Sequence, residues 1–129
     1  MPEGITVAID GFGAEQGFGV LAQGARAAAA DGIRLRVFGP PQELGLEGVD
    51  GIEVVPTSEW IGNDEDAVTA VRAKKGASVV LAAADVAAGH STAMVSSGST
   101  GATMAAATFG LRRLKDPWGS SPGSQELIA

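Results

Sequence analysis

The sequence predicts a three-layer α/β fold, in which helices cover both faces of a mainly parallel sheet. Short apolar, β-rich runs alternate with stretches of helix formers, and this alternation favours parallel pairing. Hydrophobic residues make up 45% of the 129 residues, which is typical of a globular chain with one core. Residues 1–129 are therefore expected to form a single α/β domain.

Four runs of β-branched and apolar residues are the expected strands of this sheet, and turn-forming residues follow them. They cover residues 5–9, 33–38, 52–55 and 93–96. The second run alternates apolar and basic residues, which indicates one wetter face. The tail covers residues 118–129: its first part, 118–124, is loop-like, and Leu127-Ile128-Ala129 at its end suggests a further strand.

Helix formers fill the intervals between these strands. The third stretch has an acidic start and a basic end, which suits the helix dipole, and Asn63 or Asp64 is its expected N-cap. Ser78 is the expected N-cap of the alanine-rich stretch that follows, while Gly32 and Gly89 are expected helix stops. The expected helical ranges are 20–30, a short turn within 42–51, 63–75, 78–88 and 100–114.

Two glycine-rich loops are predicted to lie at the carboxyl edge of the sheet, where ligands of such folds bind. The first loop follows Asp10, and the second loop is Ser97-Gly98-Ser99-Thr100-Gly101. In the second loop, glycine lets the backbone approach a ligand, and the hydroxyls can bind it or cap the following helix. Together with the helix start they are typical of an anion site, so we expect phosphate or sulfate here. The alternative is an ordinary strand-to-helix turn with a Ser/Thr cap.

Composition argues against several classes of function. The chain has no cysteine and a single histidine, His90, which excludes a disulfide framework, a thiolate metal site and a multi-histidine metal site. The formal net charge of −6 argues against a nucleic-acid partner, because such proteins carry basic surfaces. No leader-like segment or membrane-length apolar run is apparent, so a cytoplasmic protein is expected. His90 lies outside both loops and is expected to be structural or exposed.

The first strand followed by Asp10-Gly11-Phe12-Gly13 and a helix resembles the opening of nicotinamide-dependent dehydrogenases. That fingerprint requires a glycine at position 16, where this chain has Gln16. It also requires an acidic residue at the end of the second strand, where Val37-Phe38-Gly39 stands. A dehydrogenase fragment is therefore the weaker alternative, and no cofactor is expected.

Four stretches, in order, resemble the N-terminal part of the bacterial acyl-carrier-protein:phosphate acyltransferases of phospholipid synthesis. The similarity runs from residue 5 to about residue 116, and it is specific because of the order and spacing of the stretches. They are IDGFGAE at 9–15, in place of Asp-Ala-Met-Gly-Gly-Asp; EVVPTSE at 53–59; DEDAVTAVRAKKGAS at 64–78; and AMVSSGSTGA at 93–102, which resembles Ser-Ala-Gly-Asn-Thr-Gly-Ala.

The chain departs from the family pattern at several positions. Gly11-Phe12 replaces Ala-Met, Glu15 stands for the second aspartate, Ala67 for a proline and Ser99 for an asparagine, and the tail from 118 matches poorly. Family members continue into a second part that completes the cleft. The chain is therefore expected to be either the N-terminal part of a larger enzyme or a divergent short relative, with little activity alone.

The resemblance implies a Rossmann-like half of an isocitrate-dehydrogenase-like fold. It implies transfer of a fatty acyl group from acyl-carrier protein to inorganic phosphate, which gives an acyl phosphate. Phosphate would be held by Asp10 and residues 97–101, with Lys75, Lys74 or Arg72 as the cation. The catalytic residues are not identified.

The resemblance also implies partners and an assembly. The acidic carrier protein would dock on the basic residues Arg112, Arg113 and Lys115. A homodimer is expected, as is peripheral membrane association of the full-length family members. The alternative from another class is a non-catalytic, anion-binding α/β module, and turnover with an acyl-carrier-protein thioester and phosphate would distinguish it from the enzyme.

Overall fold

A computed structural model describes residues 5–13 and 17–110 and the backbone of residues 126–128. Within these ranges the chain alternates strands and helices, as the sequence predicts. The strands are β1 (Thr6–Asp10), β2 (Arg34–Gly39), β3 (Ile52–Pro56), β4 (Ala93–Val95) and β5 (Glu126–Ile128), and the helices are α1 (Phe18–Ala30), α2 (Pro41–Leu44), α3 (Ala67–Ala73), α4 (Ser78–Ala87) and α5 (Thr100–Gly110).

The strands form one sheet in the order β3-β2-β1-β4-β5, and every neighbouring pair is parallel. At the centre, Ala8 of β1 lies opposite Arg36 of β2 and Met94 of β4. The predicted parallel α/β sheet is therefore confirmed. Its predicted strands are also confirmed, and most of their boundaries differ from the predicted ones by one residue.

Alternation along the strands divides the core between two helical layers, because successive side chains point to opposite faces of a sheet. Val7 and Ile9 of β1 face α1 and α2. Ala8, Phe38 and Met94 face the other way and pack with apolar residues of α3, α4 and α5. Helices therefore cover both faces, which confirms the three-layer prediction.

The start of α3 differs from the sequence prediction. The N-cap is Asp66, not Asn63 or Asp64, and its carboxylate accepts the backbone N–H of Thr69 at 3.1 Å. The helix begins at Ala67 and is consequently shorter than predicted. Asn63, Asp64 and Asp66 all precede the helix, and each is of a type that caps helices well, so the sequence alone does not choose among them.

The start of α4 also differs from the prediction. Ala77 occupies the N-cap position and makes no side-chain cap, so Ser78 is already inside the helix and does not cap it. Gly32 and Gly89 follow α1 and α4 with φ of +90° and +84°, which confirms both as helix stops. α5 starts at Thr100 as predicted. In the described part of the chain, no helix combines the length and the apolar character needed to cross a bilayer.

Candidate functional site

Asp10 and Ser96 meet because they occupy equivalent places at the ends of neighbouring strands. Ala8 of β1 is paired with Met94 of β4, and each of the two polar residues comes two positions later. The two-residue period turns all four side chains toward the α4 layer. The Ser96 hydroxyl donates a hydrogen bond to Asp10 Oδ2 at 2.9 Å. Two central strands are therefore joined at their carboxyl ends.

The other oxygen of this carboxylate receives two more hydrogen bonds. The hydroxyl of Ser78, the first residue of α4, donates to Asp10 Oδ1 at 2.5 Å, and the backbone N–H of Phe12 donates to it at 3.1 Å. Ser78 is fixed in turn, because its N–H donates to the carbonyl of Glu59 at 2.9 Å. Asp10, Ser78, Ser96 and the Phe12 N–H form what we call the Asp10 cluster.

The carboxyl group of Asp10 is buried, with only 5% of the residue exposed. This burial raises its pKa above 3.8, and the hydrogen bonds from Ser78, Phe12 and Ser96 oppose the rise. A buried acid that turns both oxygens toward the protein does not present them to a ligand. The geometry suits a positioning role, in which Asp10 holds the loops that surround it.

Ser96 shapes the second loop from inside. Its oxygen accepts the N–H of Gly98 at 3.2 Å while its proton goes to Asp10. A Cβ on Gly98 would lie 3.4 Å from Asp10 Oδ2, which is an ordinary contact. The side of Gly98 on which a side chain would stand therefore faces the Asp10 cluster, and its N–H already donates a hydrogen bond within the loop.

Ser99 caps α5, so one of the loop hydroxyls does serve as the predicted cap. Its Oγ accepts the N–H of Ala102 at 3.1 Å, and its carbonyl accepts the N–H of Thr103 at 2.9 Å. The N–H groups of Thr100 and Gly101 precede the first helical hydrogen bonds, and both residues are exposed. The start of this 11-residue helix thus offers free donors to solvent.

Two further hydroxyls surround this helix start. Ser97 and Thr100 are both exposed, and neither side chain hydrogen-bonds to another described residue. The Ser99 hydroxyl keeps its proton, because it uses only a lone pair in the cap. Residues 97–101 therefore combine three hydroxyl donors with amides at the positive end of a helix. Such an arrangement can bind an anion.

Gly13 brings the first loop onto the second. Its φ is +87°, and a Cβ there would lie only 2.6 Å from the Cα of Gly98. Gly11 is similarly close to β2: its N–H donates to the Phe38 carbonyl at 2.8 Å, and a Cβ would lie 2.8 Å from that oxygen. Only glycine fits at these two positions. The two loops consequently share one site at the carboxyl edge.

The candidate cations each have contacts outside residues 97–101. Arg72 stands over the ring of Phe109, with its Cζ 5.0 Å from the ring centroid, and Lys74 pairs with Glu65 at 2.7 Å. Lys75 is exposed and lines a hollow with Arg72 and Phe109. Since Phe109 lies about 13 Å along α5 from its first residue, the structure does not bring Lys75 to residues 97–101.

Other candidate residues lie elsewhere or outside the described ranges. His90 is exposed and borders a groove at the amino edge of the sheet, far from both loops. Glu15 and the docking residues Arg112, Arg113 and Lys115 are not among the described residues. The docking surface therefore stays a prediction.

Sequence reasoning missed the roles of Ser78 and Ser96. For Ser96 a signal was available, because strand alternation and parallel register place it beside Asp10. For Ser78 there was no local signal, because it lies 68 residues from Asp10. The hydroxyl of Ser78 is also well suited to cap a helix.

Comparison with known proteins agrees with the sequence resemblance. A family model described as "Fatty acid synthesis protein" matches residues 5–116. Three relatives, each named "Phosphate acyltransferase", come from Geobacter sulfurreducens, Heliobacterium modesticaldum and Streptococcus uberis. They are 39%, 36% and 34% identical to the chain over 116, 116 and 113 residues. Each alignment covers 84% of this chain, but 34%, 35% and 34% of the respective relative. The chain thus spans about a third of the length of these curated relatives.

Proposed function

Because the chain belongs to the fatty acid synthesis protein family, we propose that it carries the phosphate-binding part of a phosphate acyltransferase. The reaction is the transfer of a fatty acyl group from a thioester of acyl-carrier protein to inorganic phosphate. The observation that carries the proposal is the Asp10 cluster. It braces residues 97–101 and the start of α5 into one anion-binding arrangement.

Phosphate is bound by groups that residues 97–101 leave free. The amides of Thr100 and Gly101 and the hydroxyls of Ser97, Ser99 and Thr100 are its donors. Gly98 does not donate its N–H to the phosphate, since that N–H is bonded to Ser96. Asp10 acts as a positioning residue beneath the loop, where its buried carboxyl group holds the Ser96 hydroxyl.

The bound phosphate supplies the nucleophile. One phosphate oxygen attacks the thioester carbonyl carbon, a C–O bond forms, and the C–S bond breaks. The carrier's sulfur leaves as a thiolate and takes up a proton, and the product is an acyl phosphate. The contribution of the described residues is to fix the orientation of the attacking oxygen, which removes an entropic part of the barrier.

The domain organisation and partners follow from the same family relationship. Residues 1–129 form one α/β domain that corresponds to the first third of the relatives, and they turn over little substrate alone, because an open site exposes acyl phosphate to water. Acyl-carrier protein docks on the segment with Arg112, Arg113 and Lys115, and its binding weakens as salt rises. The complete enzyme is a cytoplasmic homodimer that associates peripherally with membranes.

Titration with inorganic phosphate, followed by amide NMR, tests the site. The amides of residues 97–101 should shift in a saturable way at millimolar phosphate, while an equal ionic strength of chloride should leave them in place. Ser97→Ala should weaken the binding. Thr108→Ala is the matched control, because Thr108 is likewise an exposed hydroxyl residue, but it lies further along α5 and bonds the carbonyl of Met104. Shifts confined to other segments, or none at all, would contradict the proposal.

A further inference from the structure

An apolar cleft opens beside the Asp10 cluster. Its volume is about 730 Å³, within the range of about 300–1,000 Å³ that is typical of small-molecule sites. It lies at the carboxyl ends of β1, β2 and β3. The apolar residues that line it are Phe12, Phe18, Pro40, Pro41, Pro56 and Trp60, and Glu43 is the charged residue among its walls.

Aromatic rings concentrate at this cleft. The chain has four Phe and two Trp, of which three line it. The rings of Phe12 and Trp60 stack with 5.0 Å between centroids, and Phe18 meets Phe12 edge-on at 5.7 Å. Trp60 nevertheless remains 51% exposed. Large apolar surface left open in a concave site is typical of ligand binding.

Thr57 provides a second observation at the same place. It lines the cleft and is only 8% exposed, and among the described residues its Oγ1 has no hydrogen-bond partner. Buried hydroxyls normally find a partner, but the Oγ1 of Thr57 is fully buried beneath the wall of the cleft and offers no polar group to a ligand there. The wall of the cleft is therefore mainly apolar, which suits an alkyl chain.

Gly13 joins the cleft to the anion site. It lines the cleft on one side, and on the other it lies against the Cα of Gly98. Phe12 is shared in the same way, because its ring lines the cleft and its N–H bonds Asp10. The cleft and residues 97–101 are therefore separated only by Gly13. A ligand whose phosphate is bound at residues 97–101 has this apolar cavity beside it.

We propose that this cleft binds the alkyl chain of the acyl group and that the stacked rings of Phe12 and Trp60 form its wall next to the phosphate. This inference rests on the proposed function, because it joins the chain to the phosphate site. In an acyl phosphate the phosphate and the alkyl chain are separated only by a carbonyl group, which matches adjoining sites. The backbone at Trp60 is fixed by Lys74, whose Nζ donates to the Trp60 carbonyl at 3.2 Å.

Titrations of the full chain with methyl-, hexyl- and octylphosphonate, read by calorimetry and amide NMR, test the proposal. Each methylene that enters the cleft should tighten binding by about fourfold, until the cleft is full. Octylphosphonate should shift the amides of Phe12 and Trp60 as well as those of residues 97–101, whereas methylphosphonate should shift only the latter.

Trp60→Ala should weaken octylphosphonate binding by about tenfold and leave the affinity for inorganic phosphate unchanged. Trp60→Phe retains a ring and should bind nearly as well as the native chain. Phe109→Ala is the control, because Phe109 is an exposed ring outside the cleft. Thermal denaturation establishes that each variant is folded.

The outcomes separate this proposal from the phosphate site. If methyl- and octylphosphonate bind equally well, or if Trp60→Ala does not change octylphosphonate binding, the cleft proposal is overturned and the phosphate site stands. If phosphate and methylphosphonate leave residues 97–101 unshifted while octylphosphonate shifts Phe12 and Trp60, the cleft stands and the phosphate site fails. If phosphate, methylphosphonate and octylphosphonate all leave both sets of amides unshifted, both fail.

Discussion

Replacing Gly13 by alanine is expected to separate the two loops of the site. Gly13 has a φ of +87°, and the new Cβ would lie 2.6 Å from the Cα of Gly98. The conformational cost of a non-glycine residue in such a region is about 1–3 kcal/mol. The steric cost falls on backbone that cannot rotate away, and overpacking costs about 1–3 kcal/mol more. Gly13→Ala should therefore lower the free energy of unfolding by about 2–6 kcal/mol.

Gly17→Ala is the matched control. Gly17 has nearly the same φ, +92°, but no described atom lies within 4 Å of where its Cβ would be. It should therefore carry only the conformational cost of about 1–3 kcal/mol. Gly98→Ala tests the partner, and since its Cβ would make only an ordinary 3.4 Å contact, it should cost less than about 1 kcal/mol.

Urea denaturation followed by circular dichroism provides the three free energies of unfolding. Amide NMR adds a structural readout, because Gly13→Ala should displace the resonances of Gly98 and Ser99 and weaken phosphate binding, whereas Gly17→Ala should do neither. Equal losses of stability in Gly13→Ala and Gly17→Ala would refute the reasoning. The close approach to Gly98 would then contribute nothing measurable.

Three further substitutions test the Asp10 cluster and the cleft. Ser96→Ala leaves Asp10 Oδ2 and the Gly98 N–H without their partner, so it should cost about 1–3 kcal/mol in urea denaturation and weaken phosphate binding more than Ser78→Ala does; native phosphate affinity in Ser96→Ala would contradict the bracing role. Burial raises the folded-state pKa of Asp10 above the unfolded value of 3.8, so between these two pH values the folded state keeps a proton that the unfolded state has released. The contribution of Asp10 to stability therefore falls between pH 3.8 and the raised pKa and changes no further above it. Asp10→Asn cannot titrate and should lack this fall, so stability–pH curves of the same shape for the two proteins would show that the group is not perturbed. Thr57→Val removes a buried hydroxyl that has no partner among the described residues, and it should raise the free energy of unfolding by up to about 1 kcal/mol; a clear loss of stability in thermal denaturation would show that this hydroxyl is paired.

The sheet could be predicted because its signals are local. Each strand is a short apolar run closed by a turn, and the alternation with helix formers implies parallel pairing. The start of α3 could not be predicted in the same way, because Asn63, Asp64 and Asp66 are all suitable N-caps. Glu65 accepts the Gly62 N–H at 2.8 Å and pairs with Lys74, which fixes the turn before the helix, and Asp66 is the acid that caps it. Tertiary contacts decide the helix boundary there.

The candidate site was predictable only in part, for the same reason. The composition of residues 97–101 marks an anion loop, and parallel topology places it at the carboxyl edge. The link between Ser78 and Asp10 spans 68 residues, so no local pattern contains it. A buried carboxyl group without donors is costly, and the Ser78 hydroxyl therefore serves Asp10 instead of the helix start. The basic residues at the end of α3 suit the helix dipole, but they do not show in which direction the side chain of Lys75 points.

The strand order β3-β2-β1-β4-β5 determines where a ligand can sit in this fold. After β1 the chain passes through α1 to one neighbour, and after β3 it returns across β1 to the opposite neighbour. The connections that leave β1 and β4 therefore diverge to opposite faces, toward α1 and toward α5. Such a topological switch point opens a crevice whatever the loop residues are. Substitutions in the two loops can thus change what the crevice binds without moving it, which leaves ligand choice free to diverge on a constant scaffold.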